Sequence, residues 1–109
     1  MKTYDLHNNE GRLFAFEVDN AFLGRRGACR VIRSIPNVKI LREPKFLSWF
    51  REEVFCEFEL GGHTFEVWEP YGDNSRYWVG PEPVVLTEQI TDIRAAFAAA
   101  GIFGRPYGG

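Results

Sequence analysis

The stretch 54–68, VFCEFEL-GG-HTFEVW, constrains this chain more than any other. Two runs alternate apolar and polar residues on either side of Gly61-Gly62. Alternation with a period of two is the pattern of a half-buried strand, and a paired glycine is the signature of a two-residue hairpin turn. Counting outward from that turn puts Leu60 opposite His63, Phe58 opposite Phe65, Cys56 opposite Val67 and Phe55 opposite Trp68. One face of the hairpin then carries Cys56, Phe58, Leu60, Phe65 and Val67, a core surface. The other carries Phe55, Glu57, Glu59, Thr64, Glu66 and Trp68. An apolar sheet face must be covered by another layer, so further elements are required elsewhere in the chain.

The remaining periodicities supply them. Residues 2–6 and 12–18 read as strands joined by a turn over His7-Asn8-Asn9-Glu10-Gly11, where Asn and Gly tolerate positive φ. In the second run Phe14, Phe16 and Val18 share one face, and Leu13, Ala15 and Glu17 the other. Asp19-Asn20 is a natural N-cap pair for a helix from Ala21. Phe22, Cys29, Ile32 and Ile35 form its inward stripe, and Arg26, Arg30 and Arg33 its outward one. Gly24 and Gly27 weaken it, each costing about 1 kcal/mol in a helix interior, although they also permit close packing on a sheet. Pro36-Asn37 ends it, and a strand over 38–42 follows, closed by Pro44. The segment 46–50, FLSWF, reads as a helical turn covering an edge of the core. Residues 76–79 continue the sheet, and Thr87 caps a last helix with Ile90, Ile93, Phe97 and Ala100 on one stripe, stopped by Gly101. The expected fold is α+β: an antiparallel-rich sheet of about five to six strands with two helices on one face. Residues 1–102 form a single domain, and 103–109 a flexible Gly-rich tail.

Composition excludes several function classes. With 13 Lys/Arg against 15 Asp/Glu, the net charge of −2 gives no global pull toward nucleic acid or an anionic membrane. The charge is unevenly spread. Residues 1–51 hold ten basic and five acidic side chains, and residues 52–109 three and ten. The two halves either neutralise one another inside the fold or leave faces of opposite sign suited to oriented contact. Cys29, Cys56, His7 and His63 have no metal-ligand spacing, so neither a structural metal nor a cofactor is expected. The opening MKTYDLHNNEG lacks the apolar core of a signal peptide, and no apolar run reaches the length of a membrane span. A cytoplasmic protein with reduced, buried thiols is expected.

Two regions attract attention as sites. Across the hairpin, Glu57 stands opposite Glu66, with Glu59 on the same face and Trp68 beside Glu66. Like charges directly opposed repel, so the arrangement suits a hard cation, a basic partner or a carboxyl of raised pKa. A solvated outer sheet face would also be acidic, but Phe55 and Trp68 there imply that something covers it. The second region is the loop 69–78, EPYGDNSRYW. A hairpin needs only Gly, Asp or Asn at its turn, whereas this one adds Tyr71, Arg76, Tyr77 and Trp78, types favoured at binding hot spots. Asp73 is placed to brace Arg76, which would make the loop structural.

The expected binding residues are therefore Phe55, Glu57, Glu59, Glu66, Trp68, Tyr71, Asp73, Arg76, Tyr77 and Trp78. The favoured function is a small binding protein, inhibitor- or immunity-like or homodimerising, with a protein as partner. One alternative is a small-ligand binder or enzyme at the 69–78 loop. The other is RNA binding through the arginine-rich helix, disfavoured because no stacking aromatics are interleaved with the basic residues.

Overall fold

In a computed structural model of the chain, residues 1–19, 23–42, 54–69 and 76–101 are described. They form strands β1 (Thr3–His7) and β2 (Leu13–Asp19), helix α1 (Gly24–Arg33), strands β3 (Lys39–Arg42), β4 (Val54–Leu60), β5 (His63–Trp68) and β6 (Arg76–Pro81), and helix α2 (Gln89–Ala99). All six strands join one antiparallel sheet in the order β1-β2-β6-β5-β4-β3. The α+β expectation and the strand count hold. The order itself was not predicted. Helix α1 carries the chain from β2 to the far edge, and the meander β3-β4-β5-β6 then walks back until β6 pairs with β2.

The core lies between the helices and one sheet face. Phe16 and Val18 of β2, Cys56 and Phe58 of β4, Phe65 and Val67 of β5 and Val79 of β6 are fully buried there. They meet Cys29, Val31 and Ile32 of α1 and Ile90, Ile93 and Phe97 of α2. On β4, β5 and α2 these stripes match the periodicity of the sequence; on α1 and just after it Cys29, Ile32 and Ile35 are buried as expected, Val31 joins them, and Phe22 lies outside the described residues. Phe16 and Phe97 make an edge-to-face pair at 5.5 Å, and Phe58 stacks on Phe65 at 5.4 Å. Such pairs add about 0.5–1.5 kcal/mol beyond the area they bury.

The helix starts differ from expectation. Helix α1 begins at Gly24 with Leu23 in the cap position and no side-chain cap. Asp19 remains in β2, where its carboxylate accepts from Tyr4 Oη at 2.9 Å, and Asn20, Ala21 and Phe22 lie outside the described residues. Gly24 has φ +69°, so its left-handed turn launches the helix instead of interrupting it. Helix α2 begins at Gln89 behind Glu88, and the buried Thr87 hydroxyl has no partner among the described residues. Neither end relies on the capping residue that spacing suggested. The segment 46–50 and the tail 103–109 also lie outside the described residues.

A second correction concerns Phe55. The hairpin register holds from Leu60↔His63 to Cys56↔Val67, and Glu57 does face Glu66. A bulge then intervenes, so that Val54, not Phe55, pairs with Trp68. The extra residue reverses the alternation and sends Phe55 into the helix side, 1% exposed. There its ring meets Tyr77 edge-to-face at 4.8 Å, and the Arg25 guanidinium lies over it at 4.9 Å. Phe55→Ala should therefore cost about 3–5 kcal/mol in urea denaturation, as a core truncation does. A surface phenylalanine would cost less than about 0.5 kcal/mol.

Candidate functional site

Both helices pack on one side, and among the described residues the other sheet face is lined by the strands' own side chains. Strand alternation and register order them in rows. One row runs Tyr4, Glu17, Trp78, Trp68 and Val54 across β1, β2, β6, β5 and β4. The next runs from Ala15 beside Gly80 through Glu66 and Glu57 to Arg42. The structure thus brings together Glu57, Glu66, Trp68, Arg76 and Trp78 of the expected binding residues, with Glu59 exposed one step farther along β4. It removes Phe55 and Tyr77, both 1% exposed and turned to the helix side. Tyr71 and Asp73 lie outside the described residues.

The ends of the 69–78 loop are held from two directions. Glu69 accepts from Arg25 Nε of α1 at 2.7 Å. Arg76 reaches Glu17 at 3.4 Å and Asp19 at 3.7 Å, and its guanidinium stacks 3.6 Å above the Tyr4 ring. Glu17, a charged residue only 7% exposed, is tolerable because this arginine neutralises it. Sequence reasoning assigned Arg76 to Asp73 and did not single out Tyr4, Glu17 or Asp19. The alternation of β2 puts Glu17 on this face, but its neighbour across the sheet is a long-range pairing. Burial of the Tyr77 hydroxyl, first, and the nearby Glu69 carboxylate, second, push its pKa well above the ordinary tyrosine value.

Trp78 lies flat because of a glycine. A Cβ built on Gly80 would come within 2.5 Å of Trp78 Cη2 and 2.8 Å of Ala15 Cβ, so the indole rests over the bare backbone of Gly80. Gly80 is the register partner of Glu66. Trp68, next on the same side of β5, meets Trp78 edge-to-face at 6.1 Å. Glu66 consequently lies two residues from Trp68 on the same face of β5 and beside the glycine over which the Trp78 indole rests. The opposing carboxylates are not equivalent. Glu57 is bound by Arg42 Nη2 at 3.3 Å, whereas Glu66 has no ion-pair or hydrogen-bond partner for its carboxylate among the described residues. Its pKa is raised, first by burial and then by repulsion from Glu82 and Glu57, against a smaller opposing pull from Arg42.

Other candidate chemistry receives less support. Among the described residues no group of three or more His, Cys, Asp or Glu is arranged to hold a metal ion. Cys29 and Cys56 are buried and form no disulfide. Arg26, Arg30 and Arg33 are exposed on α1, but Arg25 is withdrawn to Glu69 and Phe55. A groove of about 810 Å³ between α1 and α2, floored by Leu60 and walled by Ala96 and Ala99, does not include the expected site residues. Nor does a hollow of about 400 Å³ where Phe14 meets Val84, Val85 and Leu86. Among the described residues, no helix is long and apolar enough to cross a membrane. Compared with protein-family models, with curated proteins and with solved structures, the chain matches none.

Two outcomes follow from this geometry. An acid whose folded pKa is raised stabilises the fold while protonated and loses that contribution as pH rises from its unfolded value, near 4.5, through the folded one. Glu66→Gln should therefore be more stable than wild type at neutral pH and indistinguishable from it in strong acid, measured by thermal denaturation against pH. Gly80→Ala should displace the Trp78 indole, cost about 1–3 kcal/mol as overpacking does, and shift the tryptophan emission.

Proposed function

We propose that this chain is a binding module whose sheet face opposite α1 and α2 docks a basic protein, as an inhibitor or immunity factor would. The observation that carries this reading is Glu66. It is a carboxylate without a partner among the described residues, partly buried on the face that carries Trp68 and Trp78 and facing Glu57. Isolated charge of this kind is unfavourable in the free protein, and an approaching cation relieves it. The surrounding face is also acidic on balance, with Glu17, Asp19, Glu57, Glu59, Glu66 and Glu82 against Lys2, Lys39, Arg42 and Arg76. Tryptophans of this partial burial are the residue type most enriched where interfaces concentrate their energy.

The small-ligand alternative gains nothing from the groove between the helices or the hollow at Phe14, which lie away from Glu57 and Glu66. RNA binding loses Arg25 to its internal pair with Glu69. A reducing cytoplasm suits the two buried cysteines, which form no disulfide.

The reading is tested by affinity capture from a nuclease-treated native extract, with Glu66→Ala/Trp68→Ala as the control bait. The expected result is a stoichiometric basic protein held by the wild type, released by added salt and absent from the double variant. Equal recovery on both baits would remove this face from the interaction. Self-association of the purified chain that the double variant loses would make the partner a second copy.

A further inference from the structure

The sheet and its flanks repeat one local chemistry three times. Each instance combines an aromatic ring with a carboxylate on the next strand or loop, and two of the three hold an arginine. Arg76 stacks on Tyr4 at 3.6 Å and pairs with Glu17 at 3.4 Å. Arg25 lies over Phe55 at 4.9 Å and pairs with Glu69 at 2.7 Å. In the third, Trp68 and Trp78 share the face of Glu66, and no arginine among the described residues is stacked or paired there. Arg42, the nearest basic side chain in register, is committed to Glu57 and to the Val54 carbonyl, each at 3.3 Å.

We propose that the corner formed by Trp68, Trp78 and Glu66 receives the guanidinium of an arginine carried by the basic protein partner. This rests on the reading of the face as an interaction surface and names the group it recognises. The chemistry favours arginine over lysine for three reasons. The guanidinium is planar and stacks on an indole, the strongest of the aromatic faces for a cation. Its N–H fork meets a carboxylate through two parallel hydrogen bonds. It is also more weakly hydrated than an ammonium, so it enters a partly buried corner more readily. Glu57 and Glu82, the two carboxylates that repel Glu66, add to the attraction for any cation brought there. Gly80 completes the corner, since the indole of Trp78 reaches its place over Glu66's register partner only across a residue without a side chain.

The test uses oligoarginine and oligolysine peptides of equal length, titrated into the purified chain. Trp49→Phe leaves Trp68 and Trp78 as the only indoles, so tryptophan quenching reports this corner. The expected result is that oligoarginine binds about tenfold or more tightly than oligolysine. Glu66→Gln, with folding verified by circular dichroism, should weaken oligoarginine about tenfold, the loss of a charge-assisted hydrogen bond. Equal affinities for the two peptides, both reduced by Glu66→Gln, would overturn the arginine assignment and leave the basic-partner reading standing. Affinity that Glu66→Gln does not change would overturn the corner as the site. Absence of binding by either peptide would overturn both.

Discussion

The pairing of β2 with β6 is the interaction on which the rest of the molecule depends. It joins an N-terminal hairpin to a four-stranded meander that would otherwise be two small sheets with open edges. On the helix side it sets Phe16 beside Val79 and Val18 beside Tyr77, and so makes one continuous floor for α1 and α2. On the other side it sets Glu17 beside Trp78 and Asp19 beside Arg76, and so builds the clamp on the loop end. An isolated two-stranded hairpin is marginal alone, whereas a larger sheet with a covered apolar face is not. Core and candidate site therefore come into being at one seam.

Charge is resolved in the same way. The basic first half and acidic second half meet in the pairs Arg25–Glu69 and Arg42–Glu57, and the reverse sense appears in Asp5–Arg94 and Arg76–Glu17. Arg94 holds the Asp5 carboxyl below its usual range, chiefly through the hydrogen bond it donates. The more exposed of these, Arg42–Glu57 and Asp5–Arg94, contribute little stability, about 0–1 kcal/mol each, so their role is orientation more than strength. The sequence asymmetry thus serves internal complementarity at several points. What stands apart is Glu66, which lies among acids and indoles without sharing in that pairing.

Much of the sheet was legible because period-two alternation and the Gly61-Gly62 turn are local signals. The register from Leu60 to Cys56 and the confrontation of Glu57 with Glu66 followed from counting residues outward from the turn. Counting fails at Phe55, because a bulge depends on how the strand end must bend to meet α1 and Tyr77, and no neighbouring residue encodes that. The same limit explains the helix starts. Asp19 and Thr87 have the chemistry of caps, but Asp19 is held in the sheet by Tyr4 and Arg76 while α2 begins one residue later than Thr87 would set it.

The sequence by itself determined the two-layer class, the inward stripes of both helices and the acidic outer face of the central hairpin. Each follows from a periodicity shorter than one element, and hydrophobic burial enforces it wherever the element is placed. Only the tertiary structure decided that β6 returns beside β2 and that Arg76 turns to Tyr4 and Glu17. Those depend on contacts between residues about sixty positions apart, whose cost in loop closure is met only when the whole sheet assembles. That Glu66 finds no partner among the described residues is decided there too, since a carboxylate's partner is whatever the fold brings within reach.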